Sequence, residues 1–340
     1  MPSSNAIVAT VTRTSAIATS PGAGWTPHSN AVGTMQRREN AASHGLRAPD
    51  LSATAPTERI GRVSGWGWAL GYLGGLCCLV LNLVAFVQAE PPALGLDKGA
   101  LEHVRVVGPV VACWFALFAI PFFLLVPDRK PTGVSAREAM RQGARQLWST
   151  LKRIGHYRNI ALYLVASLLY LNGLQTLFAF GGIYAAGSFG MSTAEVIKFG
   201  IALNVTAGLG ALLFGFVDDR WGAKRTILVS LVGVAIPSAA ALLVRDASSF
   251  WICGLLLGTF LGPAQAAGRS LMARLAPPDL ATEMFGLYAL AGKATNFLGP
   301  LVLATVTYAT DSQRWGMATI LVFLAGGFVL LLGVREPQRS

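Results

Sequence analysis

Apolar residues along this chain gather into eight long runs separated by short polar stretches. Scanning for about 20 consecutive residues with few charges, the length that crosses roughly 30 Å of hydrocarbon, predicts spans over 66–88, 106–126, 160–184, 199–217, 226–244, 250–268, 285–308 and 315–334. Because hydrocarbon offers no partner for a bare backbone, each span is expected to be helical. The fold class read from the pattern is an all-α membrane protein with eight transmembrane helices. Residues 1–63 hold no run of spanning length and neither helical nor strand periodicity, so they read as a disordered tail.

Polar positions inside the runs follow a pattern of their own. Asn, Gln or charged residues fall well inside the first, third, fourth, sixth and seventh spans and are absent from the second, fifth and eighth. A buried polar side chain is costly in lipid, so the polar-bearing helices are expected to face a shared interior and the other three to face lipid. On the seventh span a turn of about 100° per residue puts Gly286, Ala289, Lys293, Asn296, Pro300, Ala304 and Thr307 on one face. Its nine Leu, Phe and Val residues favour insertion by roughly 3–5 kcal/mol, against about 2.5–3.5 kcal/mol for one central Lys. Lys293 must therefore face protein or water, and it is the first candidate for contact with a solute.

The sixth span carries Gly254, Gly258, Gly262, Gln265 and Arg269 at spacings of four, four, three and four, with Pro263 beside them as a local break. The fourth carries Gly200, Asn204, Gly208, Ala211 and Gly215, the first Gly67, Gly71, Gly74, Cys78 and Asn82. Asn172 and Gln175 share a face of the third. Glycine seams and single amides of this kind serve helix packing first. Lys293, Asn296, Gln265, Arg269, Asn172 and Gln175 are the candidates for a substrate pathway.

Composition sharpens the picture. With 53% apolar and 13% charged residues, against roughly 25% charged in a soluble domain, the chain belongs in a bilayer. The net charge of +11 sorts by loop, which argues against a nucleic-acid partner. Lys and Arg number 21 in segments 1–65, 127–159, 218–225, 269–284 and 335–340, and five in the opposite loops. By the positive-inside rule both termini are expected to be cytoplasmic, in the cell (inner) membrane. Within the 127–159 loop, Arg137 to Leu151 is amphipathic and suits a short helix on the membrane surface. Four cysteines lie inside spans without metal-ligand spacing, and the four histidines lie outside them without a catalytic partner. A glycine-rich stretch, Gly286 to Ala294, lacks the spacing and the Ser or Thr of a phosphate loop. Neither an enzyme, nor a cofactor, nor a metal site is expected; the expected partners are membrane lipid, a small solute and a coupling ion.

One stretch, GFVDDRWGAKR from Gly215 to Arg225, reads as a tight charged loop between two spans, with Gly215, Asp219, Arg220, Gly222, Lys224 and Arg225 as a conformational set. Asp219 is placed to meet the positive end of a helix dipole. This glycine, Asp-Arg, glycine, basic signature resembles that of the major facilitator superfamily. WGWALGYLGG at 66–75, GPAQAAGRSLMARLAPP at 262–278 and FGLYALAGKATNFLGP at 285–300 resemble more narrowly its vacuole-effluxer-like branch, named for fungal vacuolar amino-acid exporters. The resemblance, over about 64–337, implies a twelve-span bundle of which these eight are the fifth to twelfth.

On that reading 64–126 forms the last two helices of an N-terminal half, 127–159 a basic cytoplasmic loop, 160–334 a C-terminal six-helix bundle and 335–340 a tail. A truncated or misassigned start is expected, since alternating access uses two comparable halves. The function implied is secondary transport of small organic solutes, amino acids among them. The competing reading is a non-transporting remnant or partner subunit that packs through its glycine seams.

Overall fold

The computed structural model describes residues 59–125, 135–277 and 280–337. Helix α1 (Ile60–Asn82) runs on through a π-helical stretch, Leu83–Gln88, and is followed by the short α2 (Glu102–Arg105), α3 (Val107–Leu125) and α4 (Ala136–Arg153). Then come α5 (Arg158–Phe189), α6 (Thr193–Trp221), α7 (Ala223–Leu243), α8 (Ala247–Leu275), α9 (Ala281–Ala294), α10 (Leu298–Thr310) and α11 (Gln313–Gly333). Among the described residues, eight helical stretches are long and apolar enough to cross a membrane, as the sequence predicts.

Several boundaries differ from expectation, for one reason. Hydropathy sees only the hydrocarbon-deep part of a helix, whereas helices continue into the zone where charges are tolerated. Thus α5, α6 and α8 reach 32, 29 and 29 residues. The tail expected over 1–63 lies outside the described residues through position 58, and Ile60 to Val63 already form the first turn of α1. Of the loop expected over 127–159, residues 127–134 lie outside the description, and most of the rest is α4 and the start of α5. The seventh span is two helices, broken at Thr295–Phe297. Helix α8, in contrast, runs unbroken through Pro263.

Glycine decides how closely the helices approach, since in lipid the association rests on van der Waals fit. Helices α6 and α8 pack closely: a Cβ on Gly210 would stand 1.9 Å from the Thr259 carbonyl oxygen, and one on Gly262 2.2 Å from that of Ala207. On α1 the close-packing glycines are Gly61 and Gly65, the latter against Ala211, whereas Gly67, Gly71 and Gly74 face open space. The seam expected on α1 thus sits one face over.

Helix α11 lies antiparallel on α5 through Gly173 and Gly327. None of the most apolar stretch of the second span is buried, against 61% for the third. The third and sixth, expected inside, are the most buried at 61% and 50%, but the fifth and eighth at 39% and 33% exceed the fourth (22%) and the seventh (11%), so of the three helices expected to face lipid only α3 stands apart in burial. A helix free of polar groups is permitted in lipid but not confined to it: α7 buries Ala223, Ile227, Ser230 and Val234, while its Ile236 and Leu243 stay exposed.

Candidate functional site

Two polar centres stand out, one at the interrupted helix and one at the end of the bundle that carries α4 and Gly222.

The interruption begins with chemistry local to Thr295–Pro300. Proline 300 has no N–H, and its ring crowds the carbonyl four residues earlier, so the helix that ends at Ala294 restarts only at Leu298. Asn172 of α5, 0% exposed, spans the gap. Its Nδ2 donates to Thr295 Oγ1 at 3.0 Å and to the Leu168 carbonyl at 2.8 Å, and its Oδ1 accepts from the Gly299 N–H at 3.3 Å. A side chain from another helix therefore caps α10, a task no residue at the α10 N-terminus performs. Gly299 is required there: a Cβ would stand 1.9 Å from Thr176 Oγ1.

Lys293 lies in the last turn of α9, where a cation meets the negative end of the helix dipole. Lys293 and Asn296 are both exposed beside the break, and so is Gln175, one turn along from Asn172. Of the pair expected on one face of the third span, Asn172 binds the break and Gln175 is exposed one turn along. Gln265, 8% exposed, donates to Tyr72 Oη at 3.2 Å and so ties α8 to α1. Arg269 is half-buried within electrostatic reach of Tyr288. Next to it three tyrosines converge. Tyr163 donates to the Gly268 carbonyl at 2.5 Å and lies 3.4 Å from the Tyr170 hydroxyl, and a Cβ on Gly268 would stand 2.7 and 2.8 Å from the hydroxyls of Tyr170 and Tyr288.

At the basic end, the stretch read as a charged loop is two helix ends meeting at Gly222. Its φ of +99°, open to glycine and few others, makes the corner between α6 and α7. Asp219 accepts from the backbone N–H groups of Gly61 and Arg62, at 2.9 and 3.3 Å, and from Arg62 Nε at 2.6 Å. A carboxylate here meets the exposed N–H groups and positive dipole of the α1 N-terminus. Gly61 permits the approach, since a Cβ would stand 2.7 Å from Asp219 Oδ1.

Asp218, 2% exposed, faces Arg274 Nη1 at 2.8 Å and accepts from the Ser270 hydroxyl. Arg274 Nη1 also meets Glu336 Oε1 at 2.9 Å. Glu336 in turn accepts from the backbone N–H of Ala223 and Lys224, at 2.9 and 3.0 Å, and caps α7. Gly215 lies against Arg62 and Gly61, and Lys224 Nζ donates to the Leu332 carbonyl at 2.8 Å. Arg220 and Arg225 are exposed. Arg62, Asp218, Ser270, Arg274 and Glu336 fell outside the sequence-level set. Glu336 belongs to the stretch read as a tail, 113 residues from the N–H it caps.

A family profile described as "Vacuole effluxer Atg22 like" matches residues 29–339. The MFS-type transporter YxiO of Bacillus subtilis is 26% identical over 290 residues, covering 85% of this chain and 67% of YxiO. Autophagy-related protein 22 of Cryptococcus neoformans is 25% identical over 285 residues, covering 77% of this chain and 50% of that protein. The chain thus spans between half and two thirds of the length of these relatives. Among solved structures, the E. coli fucose:proton symporter FucP superposes with a TM-score of 0.57 at 11% identity, over 84% of this chain and 75% of FucP. The human organic anion transporter MFSD10 gives 0.55 at 15% identity, over 96% of this chain and 75% of MFSD10. At such identities the likeness speaks for fold alone, and it agrees with the helix order described above. The chain belongs to the Vacuole effluxer Atg22-like family and has the helical-bundle fold of major facilitator transporters.

Proposed function

We propose that this chain supplies the greater part of a secondary active transporter for small organic solutes, amino acids among them, that works by alternating access. The observation that carries the reading is the helix interrupted at Thr295–Phe297, capped by buried Asn172 and flanked by exposed Lys293 and Asn296. Interrupted helices at membrane depth are tolerated where they line a cavity, and in transporters their free ends bind solutes and coupling ions. In this reading Lys293 meets an anionic group of the solute, Asn296 and Gln175 contribute hydrogen bonds from the same opening, and Gln265 and Arg269 line the path toward the basic end. The Gly215–Arg225 set, with Arg62 and Arg274, makes and breaks its ion pairs as the bundle rocks.

The family's description as an effluxer and the naming of YxiO as an MFS-type transporter support the reading. Loop charge supports a cytoplasmic location for the basic end, in the cell (inner) membrane. The test is amino-acid flux in proteoliposomes bearing the full-length gene product, with and without Lys293→Ala. Lost or strongly reduced flux with unchanged folding is expected; flux equal to wild type would remove Lys293 from the site, and absence of flux in the wild type would overturn the transport reading.

A further inference from the structure

Helix α4, Ala136–Arg153, stands outside the eight membrane-crossing stretches. At about 100° per residue, Met140, Ala144, Trp148 and Leu151 fall within one arc of about 80°. All four are exposed, Met140 at 75%, Trp148 at 60% and Leu151 at 44%. One flank of that arc holds Thr150, buried and hydrogen-bonded to Glu283 of α9. The other flank holds Arg141, Arg145 and Lys152, with Arg137 at the first turn, every one of them exposed. Glu138 is the helix's sole acid, and Arg141 lies 3.9 Å from it. Lys152 Nζ sits 5.6 Å from the Trp148 ring centroid.

The three faces have different needs. Thr150 is satisfied by protein. An exposed stripe of Met, Trp and Leu is unfavourable in water, and the cations beside it have almost no acid within their own helix to balance them. The helix is also pinned at bilayer height: its C-terminal end passes through the single turn Ile154–Tyr157 straight into α5, which enters the membrane. Tryptophan with flanking Lys and Arg is the composition that settles at a headgroup boundary.

We propose that α4 is an in-plane docking helix for anionic phospholipid, with Met140, Trp148 and Leu151 among the acyl chains and Arg137, Arg141, Arg145 and Lys152 on the headgroups. The Thr150–Glu283 hydrogen bond then joins lipid occupancy to α9, the helix that ends at the interruption. This inference stands apart from the transport reading, and its test involves no flux.

The experiment places the full chain in vesicles with a fixed fraction of brominated phosphatidylcholine, the remaining lipid being either phosphatidylcholine or phosphatidylglycerol. Emission from Trp148 is read as the difference between wild type and Trp148→Phe. Deeper quenching in phosphatidylglycerol is expected, weakened by high salt as screening shortens. Each neutralised cation should lower the docked-to-undocked ratio about five-fold, so Arg137→Gln/Arg141→Gln/Arg145→Gln abolishes the difference between the two lipids. The corresponding Arg→Lys triple variant keeps the charge and should retain it, which separates charge from misfolding. Three results would overturn the proposal: Trp148 unquenched in both lipids, quenching equal in both, or emission that shifts with protein concentration and so reports a second copy seated on the stripe.

Discussion

Arg274→Ala tests whether the basic end is held by a balance of buried charge. One guanidinium, 10% exposed, lies 2.8 Å from Asp218 and 2.9 Å from Glu336, with its second nitrogen 4.0 Å from Asp219. The three carboxylates are 2%, 18% and 8% exposed, and Arg62, which pairs with Asp219, is 36% exposed. Removing Arg274 takes the guanidinium from Asp218, which keeps the Ser270 hydroxyl, a neutral donor, beside an acidic neighbour in sequence. Truncating one member of a buried pair costs about 3–5 kcal/mol, against less than about 1 kcal/mol for a surface pair. The folded-to-unfolded ratio should therefore fall by at least about a hundredfold. Unfolding the full chain in mixed micelles by titration with sodium dodecyl sulfate, followed by far-ultraviolet circular dichroism, measures the difference. A double-mutant cycle sharpens it. Asp218→Asn should destabilise the wild type yet recover about 1 kcal/mol or more in the Arg274→Ala background, because there it removes a buried charge that has lost its guanidinium. Arg274→Ala within about 1 kcal/mol of wild type, or an Asp218→Asn effect of the same sign in both backgrounds, would refute the reasoning.

Three further outcomes are expected. Gly210→Ala and Gly262→Ala drive a methyl into a facing carbonyl and should cost about 1–3 kcal/mol, whereas Gly67→Ala, with nothing within 4 Å, should be neutral or stabilise by up to about 1 kcal/mol through helix propensity; the same titration reads both. Asn172→Ala uncaps α10 and should cost about 0.6–2 kcal/mol, with faster hydrogen exchange at the Gly299 amide than in the wild type. Asp246 caps α8 by accepting from the Ser249 N–H at 2.7 Å, and that bond holds its carboxyl below the usual carboxylate range. A depressed folded value means the stabilisation is complete above the unfolded value near pH 4 and is lost as pH falls through the lower folded value. Protection of the Ser249 amide, taken relative to the intrinsic exchange rate at each pH, should fall across that window in the wild type and stay flat in Asp246→Asn.

The parts of this architecture that were legible in sequence are those set by solvation. Twenty apolar residues have one comfortable home, so all eight spans were found, but nothing in hydropathy marks where a helix ends once it leaves hydrocarbon. That is why Asp218 and Arg274 read as loop residues although both are helical. The interruption at Thr295 shows a second limit. Pro300 carries the same local signal as Pro263, yet only one helix breaks, and the difference is a side chain 127 residues away that can serve the broken end. Arg62 and Glu336 lacked any local signal, because their partners are 157 and 62 to 113 residues distant. Asp219 was legible as a dipole partner, but which helix it meets depended on Gly61, a glycine that no seam pattern singled out.

The contacts of α1 bear on how the proposed motion would proceed. Beyond its glycine approach to α6, α1 is held by Asp219 at Gly61 and Arg62, by the Ser64 hydroxyl on the Ala266 carbonyl, and by Gln265 on Tyr72. These bonds are spread along the first four turns, and α1 cannot tilt away from the basic end without breaking the Asp219 set. Nor can it slide easily, because a Cβ on Gly65 would already stand 2.5 Å from the Ala211 carbonyl, which leaves little room for any neighbour with a side chain to take that place. Close packing with a handful of aligned polar bonds gives an interface two well-separated states in preference to a continuum. Weakening the Asp219 set alone, by Arg62→Gln, should consequently shift the balance between states by about 1 kcal/mol or less, given the exposure of Arg62. Loss of the backbone acceptor in Asp219→Ala should shift it further than the loss of Arg62.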